Sequence, residues 1–376
     1  MSAYSLSIDI GTTTTVAALS GRRRARRCEP KLLDVHGGHP WLPSAVYLHP
    51  SRGLLAGVDA MRLAKVDPSR FEPHPKLHID EGALRLGDAT VPIMDVLAAL
   101  IGVCVDRAAD QNRGMQPETL VLTHPVNWGT LRRQVLRRAG CRFAQNVRLI
   151  AEPLAAATRL HALGVVPSRT PVAVYDLGSG SLDVAVVGER DGRLAVLVSD
   201  SRPELGGWAL DRALLRLVLR RARLVEPDDR TLESLREDVR LARESLPVES
   251  VDIPLPSPRT HVHVAGTELD AVLDPLLRRS VDALAEAVAA AGITDPMVLL
   301  VGGVSRMPQC DVLIRQRLGT EPITLARREA AACLGALTPG LTEPTLGEPP
   351  GRPARGVPGP VPGRWRPRPY PDPGPP

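Results

Sequence analysis

Two apolar segments of this sequence each end in an aspartate followed by a turn rich in glycine and hydroxyl side chains. The first reads Ile8-Asp9-Ile10-Gly11-Thr12-Thr13-Thr14-Thr15, and the second Tyr175-Asp176-Leu177-Gly178-Ser179-Gly180-Ser181-Leu182-Asp183. Glycine leaves backbone N–H groups unshielded, threonine and serine add hydroxyl donors, and each aspartate stands where it can hold a hydrated metal ion. That combination suits a polyphosphate. Its repetition, about half the chain apart, implies two lobes facing one nucleotide, a stronger signal than either turn alone.

Each turn needs a strand on either side to position it. Residues 4–10 and 15–19 have strand character around the first turn, and 172–176 and 182–187 around the second, with 193–198 pairing on. Further strand-like pieces lie at 45–48, 54–56, 120–123, 147–151 and 297–301. Helical periodicity covers about 93–113, with Val96, Leu97, Leu100, Ile101, Val103 and Cys104 on its apolar stripe. A basic helix starts at Thr130 and stops at Gly140, read as the residue just past its C-terminus. Glu152-Pro153 opens a helix that ends near Gly164, proline being favourable in a first turn. Others cover about 208–223, 229–246 and most of 268–291, and Pro308 starts one more. Residues 339–376 change character: 14 prolines and five arginines occur there without apolar periodicity, which predicts a disordered or polyproline-II tail.

Composition narrows the function classes. A chain of 376 residues with 43% hydrophobic and 24% charged content is that of a soluble globular protein long enough for two domains. Aromatics make up only 3%, so the core must be aliphatic. The net charge of +5 is dispersed and no stacking aromatics accompany the arginines, which argues against nucleic acid as a partner. The one dense run, Arg22-Arg23-Arg24-Ala25-Arg26-Arg27, reads as a solvated hairpin tip. Five widely spaced cysteines without metal-ligand spacing read as reduced thiols of a cytoplasmic protein. Asp9 interrupts the first apolar run too early for a signal peptide, and no apolar stretch approaches the roughly 20 residues that insert in a membrane. Lysine occurs only at Lys31, Lys65 and Lys76 among 47 basic residues, so each one retained draws attention.

Five segments, in order, resemble a known family. Asp9-Ile10-Gly11-Thr12-Thr13 is similar to the first phosphate loop, Ile150-Ala151-Glu152-Pro153-Leu154-Ala155-Ala156-Ala157 to the inter-lobe connection, and Asp176–Asp183 to the second phosphate loop of that family. Leu205-Gly206-Gly207 with Asp211, and Leu300-Val301-Gly302-Gly303-Val304-Ser305-Arg306-Met307-Pro308, resemble its Leu-Gly-Gly segment and its adenosine motif. The family is the nucleotide-binding domain of the 70-kilodalton heat-shock chaperones (DnaK type), within the actin-like ATPase superfamily. The resemblance implies an α/β fold of two ribonuclease-H-like lobes, residues 1–170 and 171–338, each a mixed sheet flanked by helices. A nucleotide cleft lies between them, and 339–376 is left as the tail.

The same resemblance implies ATP or ADP with Mg²⁺ as cofactors and slow hydrolysis of ATP, with the protein working as a nucleotide-dependent conformational switch. Asp9 and Asp176 would hold Mg²⁺ largely through water, helped by Glu152, which also orients the attacking water. Lys76, at the family's spacing from Gly57, would sit by the γ-phosphate. Thr12 and Asp183 would assist catalysis, Asp183 also as a site for a monovalent cation such as K⁺. Gly11, Thr12, Thr13, Thr14, Gly178, Ser179, Gly180 and Ser181 would contact phosphate. Gly206, Gly207, Arg243, Gly302, Gly303 and Arg306 would complete the nucleotide contacts, and Pro125 with Arg133 would relay nucleotide state between lobes.

The sequence departs from the family in four places. Ser179 replaces the middle of three consecutive glycines, Val304 replaces a hydroxyl residue, and an ungapped match puts Arg240, Glu244 and Pro247 where Glu, Arg and Ser are usual. The tail, finally, is too short and too proline-rich to fold a peptide-binding domain. Two other functions therefore stand beside the switch: a non-hydrolysing nucleotide sensor or scaffold that recruits a protein partner, and a small-molecule kinase of the same superfamily.

Overall fold

The computed structural model describes residues 4–23, 26–167, 170–255 and 260–339. The tail expected over 339–376 lies, beyond Pro339, outside the described residues, as do Arg24 and Ala25 of the basic run. The chain divides into two units. The first comprises Met1–Ala209 with Asp274–Gly347, and the second holds Leu210–Leu273.

The first unit contains two sheets with the same plan. In one, Tyr4–Ile10 pairs antiparallel with Thr14–Arg23 and parallel with Thr119–His124, which pairs parallel with Asn146–Ala151. In the other, Val172–Leu177 pairs antiparallel with Leu182–Arg190 and parallel with Met297–Val301. Arg193–Arg202 extends that hairpin on one side, and Ile323–Thr324 extends the sheet on the other. The two hairpins also match in register: Ile10 faces Thr15, and Leu177 faces Leu182, so each turn is four residues long. The strands predicted around both turns are present: Tyr4–Ile10 has the expected bounds, and the others run one or more residues longer.

Period-two alternation divides the first sheet between two cores. Leu6, Ile8, Ile10, Ala17, Leu120, Leu122, Val147 and Leu149 face a cluster shared with the Ile93–Gln111 helix. Val16, Ala18, Val121 and Ile150 face the opposite way, into a cluster with the Glu152–Ala162 and Ala331–Gly335 helices. Val172, Val174, Leu299 and Val301 of the second sheet join that same cluster. A fully buried Leu, Ile or Val contributes about 1.5–3 kcal/mol over its exposed form, so this aliphatic layer contributes strongly to the stability of the unit.

The two helices in that layer approach closely. A Cβ at Gly335 would strike the Ala155 carbonyl and press on Arg159 Cβ. Gly140 corrects an expectation. It is the last residue of the Thr130–Gly140 helix rather than a left-handed cap, and Cys141 beyond it keeps right-handed geometry. Its value is its size, because a Cβ there would lie 2.9 Å from Leu122 Cδ1 and 3.1 Å from Val147 Cγ1. Gly164 and Gly292, with φ of 67° and 71°, do adopt the left-handed conformation after their helices. The hairpins Ala83–Leu86/Ala89–Pro92 and Ser250–Pro254/His261–Ala265 add to the strands expected from sequence. Their apolar residues do alternate, as in His261-Val262-His263-Val264, but each run is only four or five residues long and has no long periodic stretch to mark it.

The second unit packs most of the Gly207–Ala222 helix, the Asp229–Glu244 helix, the Ser250–Ala265 hairpin and the start of the Gly266–Ala290 helix. Leu214, Val218, Leu235, Val239, Ile253, Val264 and Leu269 are buried there. Asp228 caps the middle helix by accepting from Thr231 N at 2.7 Å, a favourable N-terminal arrangement.

One short turn of the first unit, Pro75–His78, is held by charge. His78 Nδ1 lies 2.8 Å from Glu81 Oε1 and its Nε2 3.3 Å from Glu72 Oε2. Hydrogen bonding to Glu72 and then to Glu81 outweighs burial and raises the imidazole pKa to about 9. A folded-state pKa above the ordinary value of 6.5 means the clamp stabilises fully below about pH 6.5 and is lost as pH rises through about 9.

Two expectations follow from this packing. Gly335→Ala should cost about 2 kcal/mol in urea unfolding by overpacking, whereas Gly21→Ala, where a Cβ meets nothing within 4 Å, should be nearly neutral. His78→Gln should destabilise by on the order of 1–3 kcal/mol at pH 6 and by much less at pH 10, measured as the difference from wild type at each pH. An equal difference at the two pH values would remove the charged clamp.

Candidate functional site

Strand register brings Asp9 and Asp176 to equivalent places, one residue before each hairpin ends. Asp183 sits directly across from Asp176, where the first hairpin has Val16 across from Asp9. In each turn the glycine N–H closes the hairpin: Gly11 N donates to Thr14 O at 2.9 Å, and Gly178 N to Ser181 O at 3.0 Å. Among the described residues, the following N–H groups of Thr12, Thr13, Ser179, Gly180 and Ser181 make no hydrogen bond. Successive free N–H groups of this kind form an anion cradle.

The turns meet each other. Thr13 Oγ1 lies 3.0 Å from Ser179 Oγ, and a Cβ on Gly180 would come within 2.8 Å of Thr12 Oγ1. The Leu205-Gly206-Gly207 segment braces the second turn from behind. Gly207 N donates to Gly178 O and Trp208 N to Ser179 O, both at 2.9 Å, and a Cβ at Gly206 would collide with Ser181 N. Gly302, at φ 82°, follows the neighbouring strand and lets the chain pass Asp176, whose Oδ1 a Cβ would meet at 2.5 Å.

Charge concentrates beside the turns. Lys76, from the Pro75–His78 turn, places Nζ 3.1 Å from Glu152 Oε1, each side chain being 12% exposed. Its ammonium also lies 5.5 Å from the centre of the Trp128 ring, within cation–π range. Glu152 is the first residue of its helix, where the dipole favours a carboxylate. Asp9 accepts from Thr123 Oγ1 at 2.8 Å and Asp183 from Ser181 Oγ at 2.6 Å.

The pKa pattern shows one cation among too many carboxylates. Burial, with Asp9 and Asp183 nearby, lifts Glu152 to about 7 against the opposing pull of Lys76. Burial raises Asp176 well above the usual carboxylate range, and the charges of Glu152, Asp183 and Asp9 add to it. Asp9 is raised by burial despite Lys76 and Thr123. Burial works to lower Lys76, but Glu152, Asp9 and Asp183 carry it above its ordinary value, so it stays charged. The surplus negative charge suits a dication, although no three acidic, imidazole or thiol groups among the described residues stand close enough to ligate one by themselves.

The structure thus gathers Asp9, Thr12, Thr13, Lys76, Glu152, Asp176, Ser179, Gly180, Ser181, Asp183, Gly206, Gly207 and Gly302 around the paired turns. Gly11 and Gly178 close the two hairpins. The other expected residues have surroundings of their own. The Thr14 side chain is exposed. Gly303 faces open space, and Arg306 is exposed and paired with Glu329. Arg243 belongs to the second unit, where it is buried with Nε 2.6 Å from Asp211 Oδ1. Arg133 has its Nε buried without a hydrogen-bond partner among the described residues. Pro125 O accepts from His124 Nδ1 at 2.8 Å, and burial lowers the His124 pKa to about 4, helped by the charges of Arg133 and Lys76.

Four participants were not singled out from sequence: Thr123, Trp128, His74 and Trp208. Thr123 ends the expected strand 120–123 and Trp128 lies three residues after Pro125, so both positions are accessible from sequence. The His74–Trp208 stack, with ring centres 4.6 Å apart, joins segments far apart in the chain and left no local signal.

Comparison with known proteins places the chain. The family model described as Hsp70 protein matches residues 87–345. Proteins named Chaperone protein HscA homolog, from two strains of Acidithiobacillus ferrooxidans, are each 27% identical over 364 residues, covering 88% of this chain and 57% of their own length. One of the same name from Burkholderia multivorans is 28% identical over 366 residues, with the same coverage. The chain therefore spans little more than half the length of these curated relatives. The family match takes in the second turn, the Glu152 helix and the Gly302 strand end, so the chain belongs to the Hsp70 family and has its actin-like ATPase fold.

Proposed function

We propose that this chain binds ATP and ADP with Mg²⁺ at the paired turns, hydrolyses ATP slowly, and serves as a nucleotide-dependent conformational switch in a chaperone system. The observation that carries this is the Lys76–Glu152 pair, 3.1 Å apart and flanked by Asp9, Asp176 and Asp183 beside two N–H cradles. The HscA homologues, 27–28% identical to this chain, are chaperones by name. On this view 1–170 and 171–338 act as the two lobes, Pro125 and Arg133 pass on their state, and a protein partner reads it.

Phosphoryl transfer to water depends on positioning and charge stabilisation. The free N–H groups of both turns hold phosphate oxygens, and the hydroxyls of Thr12, Thr13 and Ser181 add donors. Lys76 Nζ donates to the terminal phosphoryl oxygen and offsets its growing charge. Glu152, with a carboxyl poised near neutrality, orients water and accepts its proton. Asp9, Asp176 and Glu152 fit Mg²⁺ held through water, since these raised carboxylates lack enough positive charge of their own. Mg²⁺ would neutralise charge on the phosphates. Asp183 would hold K⁺ in the same cleft.

A non-hydrolysing sensor is the second function that an observation favours. The Thr13–Ser179 contact narrows the space between the turns, which slows any step that needs a triphosphate fully seated.

Single-turnover hydrolysis of γ-labelled ATP with Mg²⁺ tests the choice. Lys76→Ala and Glu152→Ala should each lower the rate roughly a hundredfold or more, the loss seen when one preorganised charge or donor is removed. Binding of ATP by the wild type with hydrolysis no faster than Lys76→Ala would leave only the sensor.

A further inference from the structure

The two turns are joined by a closed circuit of contacts. Thr13 Oγ1 and Ser179 Oγ are 3.0 Å apart. Ser179 O accepts from Trp208 N at 2.9 Å, and the Trp208 indole packs against the His74 ring with centres 4.6 Å apart. His74 Nδ1 donates to Thr12 O at 3.2 Å, which returns the circuit to the first turn. His74 is neutral there, because burial lowers its pKa below the ordinary value. Gly180 adds a second point of contact, leaving no room for a Cβ beside Thr12.

We propose that Ser179 sets the length of phosphate chain this cleft accepts, favouring a nucleoside diphosphate over a triphosphate. The inference rests on the nucleotide binding proposed above. Two hydroxyls that donate to one phosphoryl oxygen, each at about 2.7–2.8 Å and spread near the tetrahedral angle, stand on the order of 4–5 Å apart. At 3.0 Å they hold each other instead. A phosphoryl group entering between them must part the turns by about 1 Å or more. That movement breaks the hydroxyl pair and strains the bracing bonds from Gly207 and Trp208 and the stack on His74. A diphosphate can take the free N–H groups of the turns without separating the hydroxyls. The terminal phosphoryl of a triphosphate, which the function proposed above sets beside Lys76 and between the turns, is the group that requires them to part.

The test is calorimetric titration of the full chain with Mg·ADP and with the Mg complex of β,γ-imido-ATP, in wild type, Ser179→Ala and Ser179→Gly. Wild type should bind the diphosphate more tightly. Both variants should shift the ratio of the two dissociation constants about fivefold toward the triphosphate, the amount one neutral hydrogen bond is worth. The gain should come from the triphosphate side. An unchanged ratio in both variants, or a shift in Ser179→Gly alone, overturns the role of the hydroxyl pair while leaving nucleotide binding intact. Binding of neither nucleotide by wild type overturns nucleotide binding itself and this inference with it.

Discussion

The ion pair between Lys76 and Glu152 is the interaction on which the rest of the cleft depends. Two charges at 3.1 Å and 12% exposure have given up most of their water, and such a pair is costly to maintain unless other groups support it. Support arrives from three directions. The His78 clamp fixes the turn that carries Lys76, the Trp128 face lies beneath its ammonium, and the start of the Glu152 helix stabilises the carboxylate. The three aspartates overcompensate. Asp9 and Asp183, with Glu152, keep the lysine charged, and the carboxylates as a group remain short of positive charge.

That charge balance depends on strand geometry. Asp9 and Asp176 occupy equivalent positions because both hairpins have the same register and the same turn length. A one-residue slip in either would turn the aspartate to the opposite face of its sheet. Alternation of Leu6, Ile8 and Ile10 with Ser7 and Asp9 resists such a slip, since it would bury a carboxylate among the aliphatic side chains of the Ile93–Gln111 layer. Core packing and site chemistry are therefore two consequences of one register.

Much of this could be read in advance. The paired turns, the strands around them, the helix from Glu152 and the retained lysine are all local features, and local features leave periodic or compositional traces. What escaped notice was non-local or ambiguous. Trp208 meets His74 only because the Gly206-Gly207 segment folds back against the second turn. Gly140 looked like a helix stop because glycine does serve that purpose, but the space between Leu122 and Val147 is what requires it. The two short hairpins, with runs of four or five residues that mix polar groups with Leu, Val and Ile, resemble loops until a partner strand is found. Arg243 pairs with Asp211, 32 residues earlier in the chain, a contact that no local feature of the sequence announces.

The interruption of the first unit by Leu210–Leu273 also bears on how the protein is made. During synthesis, the Val172–Arg202 meander emerges early, yet its parallel neighbour Met297–Val301 follows roughly 120 residues later, on the order of ten seconds at ordinary translation rates. Until then the edge of Val172–Leu177 is an unpaired, mostly apolar template, the type of surface that recruits foreign strands. A member of a chaperone family thus passes through a nascent stage in which it is itself a candidate client.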